Sequence, residues 1–195
     1  MIGTFKANTV DKYLRPIRQQ ITELVEPNST VVEFGCGNGD LLFNLSGKIH
    51  TGIGLDISEP LIAYCAKRKK KEGINNLEFE IKDLSKEFLP ETKIDYSIAS
   101  LFFHVLPWTE TKELLKRIIG TSKTIIVCGF SKPENRRQNT LLWLDQRFTG
   151  HYHNYNSYKK NGFTEGLINS IENIQYTKID TFDPLIKIYK IEIIK

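Results

Sequence analysis

Apolar and polar positions follow two rhythms along this chain. Val10, Tyr13, Leu14, Ile17, Ile21, Leu24 and Val25 recur at helical spacing, with Pro16 placed to split that helix in two and Pro27-Asn28-Ser29 ending it. Thr30-Val31-Val32-Glu33-Phe34 is a short β-branched run, the type that forms a buried strand, and Asp40 to Leu45 reads as the opening of a helix. Thr51 to Leu55 is a second strand, ending at Asp56. Ser58 and Pro60 then start a helix through Glu72 that Gly73 closes. Leu77 to Ile81 alternates strictly, and Ile94 to Ala99 is a fourth strand. Thr109 caps a helix carrying Leu114, Leu115, Ile118 and Ile119 and ended by Gly120. The most apolar strand, Thr124 to Cys128, follows.

Beyond Cys128 the rhythm lapses. Residues 131–155 are polar and aromatic, with one helical piece around Leu141, Leu142 and Leu144, and a short helix reaches Asn161 before Gly162. Two β-rich runs, Asn173 to Ile179 and Leu185 to Ile194, are joined by the tight turn Asp180-Thr181-Phe182-Asp183-Pro184, which predicts an antiparallel hairpin. Strands alternating with helices, then a hairpin, predict an α/β fold: a seven-stranded, mostly parallel sheet with helices on both faces and a C-terminal antiparallel hairpin. One domain accounts for the whole chain, with a helical cap at 1–27, a core at 28–130, a lid or substrate segment at 131–163 and the hairpin at 164–195. In such sheets ligands bind beyond the carboxyl ends of the strands.

Composition narrows the class. The 195 residues, 40% hydrophobic and 26% charged, describe an ordinary globular protein rather than a disordered or fibrous one. The formal net charge of +4 is mild, and Lys67-Arg68-Lys69-Lys70-Lys71 falls near a helix end, where cations complement the carbonyl dipoles. Cys36, Cys65 and Cys128 form no CxxC pair, so neither a disulfide framework nor a zinc site is expected. The first ten residues lack the apolar run of a signal peptide, and no window approaches the ~18 apolar residues of a membrane helix. These features predict a cytoplasmic protein with no membrane partner.

The candidate chemistry starts at Gly35-x-Gly37-x-Gly39, which follows a strand and opens a helix. Residues without Cβ atoms let the backbone turn sharply and approach a ligand, while the helix start presents free N–H donors. Asp56 closes the next strand, where a carboxylate can accept hydrogen bonds from a ribose diol. Asp83 follows the third strand on the same edge.

With these strand ends in place, the sequence resembles the class I S-adenosylmethionine-dependent methyltransferases. The resemblance is carried by Val31-Val32-Glu33-Phe34-Gly35-Cys36-Gly37-Asn38-Gly39-Asp40, Gly54-Leu55-Asp56-Ile57-Ser58, Lys82-Asp83-Leu84, Ile94 to Ser100 and Thr124 to Gly129. It implies a Rossmann-like fold and S-adenosylmethionine as cofactor, with S-adenosylhomocysteine as product. By that resemblance Glu33 and the turn residues Gly35, Cys36, Gly37, Asn38 and Gly39 hold the methionine moiety, and Asp56 binds the ribose hydroxyls. Ile57 packs on the adenine, Asp83 takes its exocyclic amine, the Leu84 amide adds a contact, and Ser100 joins the cofactor set at the end of the fourth strand.

Acceptor chemistry is less marked. His104, within Leu101 to Trp108, is a candidate base or alternatively a cap or backbone partner of the next helix. Phe103, His104, Trp108 and Tyr155 are candidates for a pocket wall, and His151, Tyr152 and His153 sit in an aromatic segment read as a loop over a strand end. No metal is expected. Nucleic-acid amino methylation resembles enzymes with an Asn/Asp-Pro-Pro-aromatic run, where this chain has Ser100-Leu101-Phe102-Phe103; the expected acceptor is therefore the O or N atom of a small molecule, with no nucleic-acid partner. Two alternatives stay open. One is a cofactor-binding regulator without chemistry; the other is a short-chain dehydrogenase, suggested by Tyr155-x-x-x-Lys159 but opposed by the glycine spacing, GxGxG rather than GxxxGxG.

Overall fold

In the computed structural model, residues 2–86 and 94–194 are described, with side chains described from Asp11 onward. The seven strands, β1 (Thr30–Phe34), β2 (Thr51–Asp56), β3 (Leu77–Ile81), β4 (Ile94–Ser100), β5 (Ser122–Phe130), β6 (Ile174–Asp180) and β7 (Ile186–Ile193), form one sheet in the order β3-β2-β1-β4-β5-β7-β6. The expected mixed sheet with a terminal antiparallel hairpin is what the chain builds. The described residues fall into two compact units, one running to Ile98 with Thr121–Lys123 added, the other holding Ala99–Gly120 and the chain from Thr124.

The first unit carries β1, β2 and β3 in parallel. Thr30 lies opposite Thr51 and Phe34 opposite Leu55, while Asp56 lies opposite Ile81. That register places the ends of all three strands, and so the Gly35–Gly39 turn, Asp56 and residues 82–84, along one edge. The first helix, α1 (Ile2–Leu24), is continuous through Pro16, which corrects the expected split. Pro16 lies on the exposed side, while Leu14, Ile17, Ile21 and Val25 form a buried stripe that keeps both halves on the core. Burying each such side chain stabilises by roughly 1.5–3 kcal/mol, enough to offset much of what a mid-helix proline costs. The next helix, α2 (Asp40–Leu45), buries Leu41, Leu42, Phe43 and Leu45, and Phe43 stacks on Phe79 at 5.3 Å. Helix α3 (Glu59–Glu72) ends at a left-handed Gly73, as its sequence predicts.

In the second unit β5 pairs antiparallel with β7 from Thr124↔Glu192 to Phe130↔Ile186, and β7 with β6. The hairpin turn is closed by Thr181 Oγ1 donating to the Ile186 carbonyl at 2.7 Å and by the Leu185 amide donating to Asp183 Oδ1 at 2.8 Å. Helix α4 (Trp108–Thr121) buries Leu114, Leu115 and Ile118 and starts one residue before the expected Thr109. The polar stretch after β5 is far more helical than its sequence suggests: α5 (Arg136–Arg147), capped by the Asn135 side chain, is followed by α6 (Tyr152–Lys160) and α7 (Phe163–Asn169). Of the segment read as an aromatic loop at 147–155, residues 152–155 are the first turn of α6 and 148–151 are the turn between α5 and α6. Tyr155 and Tyr158 face inward from that helix, and ring packing outweighs the helix-poor composition. No helix among the described residues is long and apolar enough to cross a membrane.

Candidate active site

The turn after β1 is built from three left-handed glycines, with φ of 70° at Gly35, 56° at Gly37 and 72° at Gly39. The Gly35 and Cys36 amides donate to the Leu55 carbonyl at 2.8 and 3.1 Å, which fixes the turn against β2. Gly39 and Gly37 need the absence of a side chain for different reasons. A Cβ on Gly39 would sit 2.7 Å from the Phe79 ring and 3.0 Å from Cys65 Sγ, whereas a Cβ on Gly37 would meet nothing within 4 Å. Gly39 is therefore a packing requirement, while Gly37 presents bare backbone to open space, the cradle a ligand's polar end needs.

Asp56 holds that cradle. Its Oδ2 accepts from the Gly37 amide at 2.8 Å and its Oδ1 from the Ser58 amide at 2.8 Å. Each carboxylate oxygen keeps a further lone pair for a ribose hydroxyl. The neighbouring Ile57 is 67% exposed, an apolar surface left bare next to the carboxylate. Asp83 is held in its own turn: Ser85 donates to Oδ1 through its amide at 3.1 Å and its hydroxyl at 2.7 Å, and Lys86 Nζ reaches Oδ2 at 2.8 Å. These partners, Lys86 foremost, pull the Asp83 carboxyl down to about 2. Leu84 is buried beside it.

Glu33 is the electrostatic outlier. Its side chain is buried inside β1, and its Oε2 has no hydrogen-bond partner among the described residues. Burial pushes its carboxyl up to about 8, against the pull of the Arg18 guanidinium. A stranded carboxylate oxygen is costly unless a donor arrives, so this position asks for a cationic or N–H-bearing ligand. Asn38 donates to Asp11 Oδ2 at 2.7 Å, tying the turn to α1.

Sequence reading missed the ionic frame around this turn. Arg18 Nη1 bridges Asp11 Oδ1 and Asp40 Oδ2, both at 2.7 Å, and Arg68 reaches Asp40 Oδ1 at 3.1 Å while its guanidinium lies 4.0 Å from the Phe43 ring centre. The one available signal was that Asp11 and Arg18 lie seven residues apart on the same face of a helix.

In the second unit a 3-10 turn, Phe103–Val105, follows β4. It buries His104, whose ring lies 4.8 Å from Phe130, 5.2 Å from His151 and 6.4 Å from Tyr158. Burial first, and the facing His151 second, depress the His104 imidazole to about 3, so it is neutral at ordinary pH. Asn154 clamps α6 to this turn, donating to the Val105 carbonyl at 2.7 Å. Trp108 packs edge-on to Tyr158 at 6.2 Å, and Phe103 is core. Tyr152 stacks near Tyr155 at 6.2 Å, while His153 is exposed and outside the cluster. Ser100 ends β4 ahead of Leu101, a bulky residue held at φ 51°, whose amide donates to the Cys128 carbonyl at 2.8 Å. Backbone strain of this kind gathers at functional sites, and nothing in the sequence announces it.

The dehydrogenase pair does not assemble. Tyr155 is fully buried, its hydroxyl has no hydrogen-bond partner among the described residues, and burial raises its pKa rather than lowering it. Lys159 Nζ instead donates to Asn139 Oδ1 at 2.7 Å. Among the described residues no three His, Cys, Asp or Glu side chains gather as metal ligands.

A family model described as a methyltransferase domain matches residues 25–175. The chain belongs to the class I S-adenosylmethionine-dependent methyltransferases. Among this family's curated members, the nocamycin O-methyltransferase of Saccharothrix syringae is 26% identical over 112 residues, covering 55% of this chain and 40% of the relative. The chain spans less than half the length of the curated relatives it matches. The plantazolicin methyltransferase BpumL, solved in complex with SAH, superposes with a TM-score of 0.66 at 14% identity, covering 98% of this chain and 90% of that one. An rRNA methylase from Streptococcus thermophilus gives 0.59 at 15% identity, covering 92% and 97%. Both likenesses are of fold, and between them they do not sort acceptors. The residues at the turn fit the family's cofactor: a buried carboxylate oxygen without a donor, a bare left-handed glycine and a carboxylate at the end of β2.

Proposed function

We propose that this chain, acting as a single methyltransferase domain, transfers the methyl group of S-adenosylmethionine to an O or N atom of a small molecule in the cytoplasm. The observation that carries the reading is the joint state of Glu33, Gly37 and Asp56. Bound S-adenosylmethionine supplies a methyl group on a sulfonium, a good leaving group. Glu33 meets the ligand's ammonium, Asp56 the ribose hydroxyls, Ile57 covers the adenine face, and the 35–39 amides together with Ser100 and Leu84 complete the cofactor contacts. Asp83 takes the adenine amine.

Alignment of donor and nucleophile supplies most of such a rate enhancement. When the acceptor is a hydroxyl or a protonated amine, its proton must leave as the new bond forms. His104 is too weak a base for that duty, because a group near 3 holds a proton poorly at neutral pH. In this reading the half-buried His151 takes the proton, and His104 orients it from 5.2 Å. Tyr152 and Trp108 line the acceptor side, and Phe103 and Tyr155 support it from the core. A small acceptor over a nucleic acid is supported by the mild +4 charge and by the curated O-methyltransferase relative.

The test is thermal unfolding with S-adenosylmethionine, S-adenosylhomocysteine, NADH and NADPH, each near 100 times its expected dissociation constant, followed by methyl-transfer assays. Selective binding adds about 2.7 kcal/mol and raises the midpoint by several degrees. A shift with the two sulfur ligands, lost in Asp56→Ala, is the expected result; a shift with a nicotinamide alone overturns the reading. Cofactor binding with no transfer to any acceptor assigns the chain to the regulator class instead.

A further inference from the structure

A cavity of about 630 Å³ opens in the second unit just beyond β5. Its volume falls within the range of small-molecule sites, ~300–1,000 Å³. Lys132, Arg136, Lys159 and Lys160 line it against the single carboxylate of Glu134, with Pro133 and Phe163 as apolar walls. Lys132, Arg136 and Lys160 form no ion pair among the described residues, and Lys159 holds the Asn139 amide oxygen. Four cations against one carboxylate leave the cavity with an excess of positive charge.

The cavity wall is also strained. Gly162 at φ 90° and Phe163 at φ 60° are consecutive left-handed residues, and the second is a buried aromatic that rarely tolerates that conformation. The tight turn is enforced from below, because a Cβ on Gly166 would fall 1.7 Å from the Asn161 carbonyl oxygen. This strain sets Phe163 between the cavity and the aromatic cluster, since its ring packs on Tyr158 at 6.3 Å and Tyr158 in turn packs on His104. The basic cavity and the histidine cluster therefore share a wall.

We propose that this cavity binds a small molecule through a phosphate, sulfate or carboxylate group. The anion site stands independently of the methyltransferase reading above. Basic side chains confined to one cavity match a compact anion; a nucleic-acid backbone needs a long basic stripe.

The test measures binding of inorganic pyrophosphate, inorganic sulfate and citrate by calorimetry and thermal shift, with sodium chloride at matched ionic strength as control. At least one of the three should bind the full chain. Arg136→Gln and Lys160→Gln should each weaken it roughly tenfold, since a hydrogen bond to a charged group is lost. The shift caused by S-adenosylmethionine should be unchanged in both variants, which shows that they fold. Which probe binds best separates phosphate-, sulfate- and carboxylate-bearing ligands. Equal shifts with chloride, or affinity unchanged in both variants, overturn the proposal. So does a single-stranded oligoribonucleotide that displaces pyrophosphate and binds tighter through the same residues. A wild-type chain that binds the anion but not S-adenosylmethionine refutes the proposed function and leaves the anion site standing.

Discussion

Glu33 makes the cofactor reading measurable in protons. Burial lifts its carboxyl from 4.5 to about 8, a displacement worth roughly 5 kcal/mol. At about pH 7 the free protein therefore carries Glu33 largely protonated. A ligand ammonium brought against the unpartnered Oε2 favours the ionised form, so binding expels that proton. Calorimetric titration of S-adenosylhomocysteine in buffers of different ionisation heat counts the protons released. Near pH 7 we expect approaching one more from the wild type than from Glu33→Gln, and subtracting the variant cancels the ligand's own amino group. Cofactor affinity of the wild type should rise by up to tenfold per pH unit below about 8, a dependence the variant lacks. Stability of the free protein moves the other way. Because the folded pKa is raised, the contribution of Glu33 is complete below 4.5 and is lost at ~1.4 kcal/mol per pH unit as pH climbs through about 8. Glu33→Gln should flatten that slope. The same proton count in both proteins refutes the reasoning, because it means the ligand's cation does not meet this carboxylate.

His104 gives a mirror-image dependence. Its folded pKa is lowered to about 3, so its contribution is intact above 6.5 and is lost at ~1.4 kcal/mol per pH unit as pH falls toward 3, a loss that urea unfolding should find reduced in His104→Phe. Gly37→Ala should cost only about 1 kcal/mol of stability yet weaken cofactor binding at least tenfold, whereas Gly39→Ala, which drives a Cβ into Phe79, should lower the unfolding midpoint sharply; equal effects of the two in both assays would contradict the division of roles. Tyr155→Phe removes a buried hydroxyl without a partner and should be neutral or stabilising by up to ~1–3 kcal/mol while leaving methyl transfer intact; a collapse of activity would restore Tyr155 as a chemical group.

The cofactor half of the site was legible because its demands fall on backbone and on strand ends. Left-handed turns at three positions require glycine, and a parallel register carries Phe34, Asp56 and Ile81 to one edge, so a one-dimensional pattern suffices. The hairpin was legible for the same reason, since its turn is short and local. Pro16 shows the limit. Its local rule predicts a break, but a buried stripe spanning both sides overrides it, and that stripe gains its value only from what it packs against.

The histidine cluster depends on what no local pattern encodes. His104 and His151 stand 47 positions apart and meet where Asn154 and Tyr158 hold α6 against the turn after β4. The same packing reverses the chemistry that residue type suggests: burial that brings His104 beside a partner also strips it of basicity. Tyr155 is buried as well, on the helix whose last turn puts Lys159 and Lys160 on the basic cavity. One short helix thus sorts its residues by depth. Inward tyrosines build the wall, a histidine at its start faces the cluster, and the outward lysines at its end gather the charge. For this chain, the aromatic cluster and the basic cavity are both properties of how α6 is seated rather than of any motif it contains.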